Sequence, residues 1–281
     1  MAGVVFVTDS ASDLDPAVAA RDGIRIVPLS VSFGDESFRA GADLSTEEFW
    51  QRMTAPNAPF PKTAASSPGE FKAVYDAAFT DGADAIVSIH VSGLLSGSIK
   101  SAEIAKGMLP EREIHLVDSQ GASMAEGILA YMGLDLARMG VAAGEIARTL
   151  NDRASDLRMY VSLETLEYLK KGGRISGAQA AIGGLLSVKP IIAVEAGKVE
   201  TADKPRTRSK SRERCIELIC ARPIERIAIL HTMAPDVDEF RDAVVRRSGV
   251  DPASVMVSIV GPSVGPHLGP GCVGAAVLYK R

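Results

Sequence analysis

Aromatic residues make up only 5% of this 281-residue chain, so a core of any size must be built from Ala, Val, Ile and Leu, within a hydrophobic content of 46%. A basic excess is also missing. Lys and Arg number 31 against 35 Asp and Glu, a formal net charge of −4, whereas general nucleic-acid binding calls for a positive balance. The three cysteines, Cys215, Cys220 and Cys272, form no C-x-x-C pair and cannot all be bridged to one another, which fits reduced thiols in a cytosol. No apolar stretch approaches the ~20 residues of a membrane span. The N-terminal "MAGVVFVTDS" has no basic leader, and Asp9 ends its apolar run too early for a signal peptide. A cytoplasmic protein without an integral membrane segment is expected. His90, His115, His231 and His267 are scattered without H-x-x-x-H or Cys/His spacing, so no metal site is expected. The P-loop pattern G-x-x-x-x-G-K-[ST] is absent, and "GLLSG" has the wrong spacing for a G-x-S-x-G elbow.

Glycine is plentiful, and its placement raises a question. In "GPSVGPHLGPGCVG" (261–274), Gly269, Gly271 and Gly274 spell G-x-G-x-x-G. That fingerprint binds a dinucleotide only when a strand precedes it and a helix follows, because the helix N-terminus supplies the N–H groups that hold the pyrophosphate. Here only "AAVLYKR" follows, an apolar run suited to one strand. A nucleotide loop is excluded on context.

The chain is long enough for two domains of ordinary size. "VVFVT" (4–8), "IRIVPLSVSF" (24–33, with Pro28 at an edge or bend), "AIVSIHVS" (85–92) and "IHLVDS" (114–119) read as strands. Helices are predicted from Ser45, with a capping box to Glu48, and from Ser67-Pro68-Gly69-Glu70 after a Pro-rich loop. Further helices are predicted over 94–109, 122–140 and 142–156. Strands alternating with helices imply right-handed βαβ units and a parallel sheet. Beyond "MYVSLETLEYLKKGGRIS" (159–176) the pattern changes. A Gly-spaced helix "GAQAAIGGLLS", a strand "KPIIAVEAG", its hairpin return "KVETADKPR", a basic helix, the strand 226–232, a helix at 236–247 and strands near 255–260 and 273–279 follow. The expectation is an α/β domain over 1–157 with a parallel sheet and an α+β domain over 158–281.

Ligands of open parallel sheets sit beyond the carboxyl ends of the strands. That rule gathers Asp9 and Ser10, Ser92 with Ser96, Gly97 and Ser98, and Asp118 with Ser119. Each could simply cap a following helix, yet hydroxyls recurring after three strands line one edge. Ser96 beside Gly97 at a helix start offers a hydroxyl, N–H groups and the helix dipole to an anion. Thr63 in the Pro-rich loop could add a second hydroxyl, or be solvated. Arg174, after two glycines, reads equally as a surface residue or a ligand contact. The run Lys204, Arg206, Arg208, Lys210, Arg212 and Arg214 lacks interleaved aromatics and reads as a solvated helix start or a patch for an acidic protein. His267 sits where Pro262, Pro266 and Pro270 would hold its ring still.

With these residues assembled, the chain resembles the DegV family of bacterial fatty-acid-binding proteins. The resemblance rests on "VTDSASDL", "PKTAASSPGEF", "SIHVSGLLSGSIKSA", "VDSQGASMAEG", "LEYLKKGGRISG", "KPII" and "GPSVGPHLGPGCVG", in family order along nearly the whole length. It implies a two-domain α/β fold with a long-chain fatty acid buried between the domains. It also implies a carrier that is not itself an enzyme, the binding subunit that presents the acyl carboxylate to a separate fatty acid kinase for acyl-phosphate formation. By motif, Thr63 and Ser96 match the carboxylate-binding hydroxyls. Arg206 and His267 match polar positions near the head group that serve the phosphate or its transfer, and Arg174 matches the GGR arginine in a supporting role. Asp9, Ser10, Ser92, Gly97, Ser98 and Ser119 support the site. One departure bears on the carboxylate network: the family reads T-S-Q-P-S where this chain has Thr63-Ala64-Ala65-Ser66-Ser67.

The expected partners are therefore a long-chain fatty acid and a kinase subunit, with transient membrane contact allowed, and with no cofactor, metal or nucleic acid. Each buried CH₂ contributes about 0.8 kcal/mol, so an aliphatic tunnel can hold an acyl chain without a charged clamp. The segment 175–194 is the expected tunnel wall. The competing reading is an acyl-ester or acyl-phosphate hydrolase using Ser96 and His267, with Asp118 to orient the histidine. A third is a lipid-sensing regulator that binds a partner through 204–214.

Overall fold

The computed structural model describes residues 3–175 and 188–281. In chain order the first part contains β1 (Val4–Asp9), α1 (Pro16–Arg21), β2 (Ile24–Val27), β3 (Ser30–Phe33), β4 (Glu36–Arg39), α2 (Thr46–Thr54), β5 (Lys62–Ala64), α3 (Pro68–Thr80), β6 (Ala85–His90), α4 (Ser98–Gly107), β7 (Glu113–Asp118), α5 (Met124–Arg138) and α6 (Ala143–Ala154). Then come β8 (Leu157–Ser162), α7 (Glu167–Lys171), β9 (Ile191–Glu195), β10 (Lys198–Asp203), α8 (Arg208–Ile219), β11 (Ile224–His231), α9 (Val237–Ser248), β12 (Met256–Ile259), α10 (Gly265–Leu268) and β13 (Val273–Tyr279).

The expected parallel sheet is present, in the order β2-β1-β6-β7. Every residue of β6 is buried, as required of a central parallel strand covered on both faces. One face packs Val7, Ile86 and Ile114 against Phe71 and Tyr75 of α3 and Ala102 and Ala105 of α4. The other face meets α5 and α6. A second sheet, in the order β10-β9-β8-β13-β11-β12, is antiparallel except for the β11–β12 pair. Its strands alternate sides as the pleat requires. Ile227 and Ile229 face the cluster around α8 and α9, while Ala228 and Leu230 join the core shared with the first sheet. Helix α5 touches β1 and β6 of one sheet and β11 and β13 of the other. Its first turns are almost wholly buried, and a side chain at Gly133 would overlap the Phe6 ring.

Local signals placed most helices. Ser67 and Glu70 complete a reciprocal capping box with Pro68 in the first turn. At Ser45 only half the expected box forms: its hydroxyl accepts the Glu48 N–H, but the Glu48 carboxylate turns to Arg52. The expected long strand 24–33 is two strands, broken at Pro28, with β3 leaving to join β4 and β5 in a small sheet of its own. The helix expected from 94 starts at Ser98 because residues 92–96 close a turn through Leu95 N–H and Ser96 N–H to Ser92 O. The "GAQAAIGGLLS" helix, and with it most of the expected tunnel wall, lies outside the described residues.

The glycine-rich loop leads into β13, as its context demanded. A side chain at Gly274 would strike the Tyr160 carbonyl across the β8–β13 ladder, and Gly269, at φ +75°, lies against the Tyr168 ring. Cys215, Cys220 and Cys272 are free thiols. Among the described residues no helix is long and apolar enough to cross a membrane, and no group of side chains could hold a metal ion.

Candidate functional site

A cavity with about 630 Å³ of empty space, counting the part open to solvent, lies between the carboxyl ends of the first sheet and the near face of the second. Leu29, Val91 and Leu95 wall it on one side, and Met159, Ile192, Val194 and Val199 on the other. Val264 and Leu268, around α10, close it. Among the described residues five polar side chains reach the lining: Thr63, Ser96, Arg174, Ser263 and His267.

Four of them form one end. Thr63, carried by β5 in register with Val31, has its Oγ1 3.1 Å from His267 Nε2. Arg174 donates through Nε to the Leu95 carbonyl at 3.2 Å and through Nη1 to the Gly172 carbonyl at 2.8 Å, so its guanidinium is fixed beside the Ser96 turn. Ser96 Oγ lies 3.1 Å from Ser98 Oγ and accepts the Ser98 N–H at 3.2 Å. Ser98 is the first residue of α4, whose N-cap is Gly97 and which has no side-chain cap. This is an anion-binding geometry: a helix start, two hydroxyls and a fixed cation.

Burial, aided by the Arg174 charge, pushes the His267 imidazole down from 6.5 to about 4, so the ring is neutral at pH 7. Its Nδ1 is buried and has no hydrogen-bond partner among the described residues, and a side chain at Gly172 would overlap it. The ring proton therefore belongs on Nε2, because an unpaired N–H costs more than a lone pair turned toward a positive charge. With that tautomer Nε2–H donates to Thr63 Oγ1, which leaves the Thr63 hydroxyl hydrogen free for another acceptor. The sequence reading gave His267 and Thr63 separate tasks; the structure makes them one unit.

The loop that carries His267 is held by a residue whose role the sequence hid. Arg212, 8% exposed, donates to the Gly271 carbonyl at 2.7 Å and the Ser162 carbonyl at 2.9 Å, and pairs with Asp236. Arg208 pairs with Asp236 and Glu164, and Arg214 with Asp203 and Glu217. Half of the basic run is thus paired with acids of the chain itself, but only Arg212 is buried; the rest of the run stays partly or fully exposed, as expected of a solvated helix start. Arg206 is exposed, lies outside the cavity lining and makes no ion pair with another described residue; the structure does not bring it to Thr63 and Ser96.

The remaining candidates use their polar groups within the fold. Ser92 Oγ donates to the Gly197 carbonyl and accepts the Leu94 N–H, docking the β9–β10 turn. Ser119 Oγ accepts the Gly121 N–H, and Ser10 Oγ accepts the Leu29 N–H. Asp9 caps the turn at Ala11 N–H and accepts from Val91 N–H and His90 Nδ1. Asp118 holds the Gly93 and Gln120 N–H groups. Ser96, His267 and Asp118 make no hydrogen bond to one another, so the relay that hydrolysis would require is not assembled. Ser263, in the lining, was missed; its only sequence signal is its place in the same loop as His267.

Residues 4–280 match the family described as "Uncharacterised protein, DegV family". A DegV domain-containing protein of Streptomyces coelicolor is 35% identical, over 99% of both chains. A solved DegV family protein from Thermus thermophilus, described by its fatty acid binding, superposes with a TM-score of 0.90 at 34% identity, covering 99% of each chain. DegV of Bacillus subtilis, a fatty acid binding protein, superposes with a TM-score of 0.87 at 28% identity over 100% of both chains.

Proposed function

The chain belongs to the DegV family, and from that premise we propose that it binds one long-chain fatty acid in this cavity. The observation that carries the reading is the cavity's asymmetry: aliphatic walls, with Thr63, Ser96, Arg174 and His267 gathered at one end. An acyl chain gains about 0.8 kcal/mol for each CH₂ taken from water. Its carboxylate needs donors once it leaves solvent. The Thr63 hydroxyl, left free by His267, and the Ser96 hydroxyl supply them, while Arg174 offsets the charge. The ligands of the Thermus and Bacillus relatives support this choice of substrate class.

The division of labour follows: residues 1–157 provide the carboxylate hydroxyls and residues 158–281 cover the chain and bring His267. We extend the reading to a carrier that presents the carboxylate to a separate fatty acid kinase in the cytoplasm, with exposed Arg206 free to meet the partner or its phosphate. Denaturing the purified protein and identifying the released lipid by mass spectrometry tests the binding. Near-equimolar fatty acid is expected; no lipid, together with no binding of added palmitate or oleate, overturns it.

A further inference from the structure

The cavity has a larger neighbour. A cleft with about 2200 Å³ of empty space, counting the part open to solvent, is bordered by α1, β2 and β12. Three chain segments separate the two spaces, and each shows consecutive residues to opposite sides. Ser10, Pro28 and Pro262 line the cleft, while Ala11, Leu29 and Ser263 line the cavity. The wall between them is a single layer of chain. It does not stand at the mouth of the cavity: Ala11, Leu29 and Ser263 are buried, whereas Thr63, Ser96, Arg174 and His267 are all half-buried. The polar end meets solvent, and the wall lies inside.

Beyond the wall the surface suits an alkyl tail rather than a second carboxylate. Leu14, Ile24, Ile26 and Met256 line the cleft, joined on β12 by Val257 and Ile259, which are 46% and 43% exposed. Among the described lining residues Arg25 is the one cation, and it pairs with Asp81 at 2.6 Å. Asp15 is occupied by the Ala17 and Val18 N–H groups, and Asp13 by the Gly261 N–H. Nothing in that set offsets the charge of a head group.

We propose that the wall parts when lipid binds and that the distal methylenes of longer acyl chains lie in this cleft. This rests on the fatty-acid reading above and narrows it to chains long enough to cross the wall. The first and last wall segments are joined by the Ser10 and Ser263 hydroxyls at 2.8 Å. Giving up one neutral hydrogen bond lowers affinity about threefold to tenfold. Each CH₂ taken from water raises it about fourfold, so a few methylenes beyond the wall outweigh the bond.

The test uses laurate, palmitate and arachidate, each carrying a photoreactive diazirine at its methyl end, with crosslinks mapped by mass spectrometry. On wild type, laurate should label cavity residues such as Met159, and arachidate should label cleft residues such as Tyr131 and Met256. Affinity should keep rising from palmitate to arachidate, by up to about fourfold for each added CH₂. Thr63→Val, which cuts the carboxylate end, should lower cleft labelling by the same factor as it lowers arachidate occupancy, because one molecule fills both spaces. Cleft labelling that does not follow occupancy would mean an adventitious apolar surface and would overturn the proposal. Arachidate labels confined to the cavity, an affinity that levels off at palmitate, or a dimer in sedimentation that covers Val257 and Ile259 would do the same. If Thr63→Val fails to fold, the wild-type maps decide alone: cleft labels at no more than one probe per protein support the proposal, and cavity labels alone overturn it. Failure of all three acids to bind wild type would instead reject the parent fatty-acid reading, so the two failures are distinguishable.

Discussion

His90 and His267 both lie inside the protein near the carboxyl ends of the first sheet, and their surroundings differ in one respect that matters. His90 is fully buried with both ring nitrogens engaged: Nε2 lies 2.9 Å from Ser88 Oγ and Nδ1 lies 3.4 Å from Asp9 Oδ2. Tyr75 OH donates to Ser88 at 2.9 Å, so a chain of donors runs from Tyr75 through Ser88 and His90 to a carboxylate. His267 has one partner, Thr63, and an unpaired Nδ1, and it faces a cavity. A closed polar network fixes the fold, while an open one leaves donors for something else. The residue type was the same in both places; the satisfaction of its hydrogen bonds separates scaffold from site.

The sharpest break of this comparison is Asp9→Ala. It removes the acceptor that ends the His90 chain and that holds the Ala11 and Val91 N–H groups. Each buried donor left without its acceptor costs about 1–3 kcal/mol, so a large loss is expected in denaturant midpoint, with lipid binding lost only as folding is lost. Thr63→Val makes the opposite cut. On the proposed function it deletes a donor to the ligand carboxylate, about 1.5–3 kcal/mol, and Kd for palmitate should then rise by about one to two orders of magnitude. The chemical denaturation curve should move far less than in Asp9→Ala. Equal effects of the two variants on stability would dissolve the distinction.

His267→Ala is expected to fall between scaffold and site. The reading from sequence alone would leave palmitate binding nearly normal in this variant. The structure predicts otherwise, because without Nε2–H the Thr63 hydroxyl can turn away from the cavity. Loss of an orienting neutral hydrogen bond is worth about 0.5–1.5 kcal/mol, a weakening of about threefold to tenfold. Wild-type affinity in His267→Ala would return the residue to a purely head-group role.

What could be read in the sequence was what its neighbours along the chain enforce. Ser67, Pro68 and Glu70 make their helix start among themselves, and the βαβ alternation places Ser96 and Asp9 at strand ends without further help. What could not be read depends on distant partners. Strand β5 hides in the Pro-rich segment because its only reason to be a strand is pairing with β3. Arg212 looked like one more surface cation because Ser162, Asp236 and Gly271 come from separate elements. Ser263 gained its meaning from Ser10, which is 253 residues away.

A smaller effect comes from pH. The His267 pKa is lowered from 6.5 to about 4, so between those values the unfolded chain binds the extra proton and stability falls as pH drops. Asp13 behaves in the reverse sense. Burial, opposed by the Ser123 hydroxyl and the Gly261 N–H and reinforced by the Asp9 charge, pushes its carboxyl from 3.8 up to about 7. The folded protein then holds the extra proton between those values, and stability falls as pH rises through them. Thermal unfolding of His267→Gln and Asp13→Asn against pH should remove slopes of opposite sign, the first acting from 6.5 downward and the second from 3.8 upward. A variant that removes no slope would mean that its group is solvated in the folded protein.

The smallest expected effect on binding belongs to Arg206. It is exposed, stands outside the lining and has no ion-pair partner among the described residues, whereas Arg212 in the same basic run is buried under the His267 loop. Most of the binding free energy comes from the acyl chain, so Arg206→Ala should hold palmitate within about twofold of wild type. If the chain serves a fatty acid kinase as proposed, the Arg206 charge becomes relevant when a phosphoryl group arrives, because negative charge developing there is stabilised by a nearby cation. Acyl-phosphate formation with a fatty acid kinase and ATP should therefore drop in Arg206→Ala while direct titration stays level. Arg212→Ala should do the reverse of a clean separation, lowering both, because the Gly271 carbonyl and Asp236 lose their shared anchor. Wild-type acyl-phosphate rates in Arg206→Ala would make it a solvated surface arginine and leave Arg174 as the cation at the head of the site.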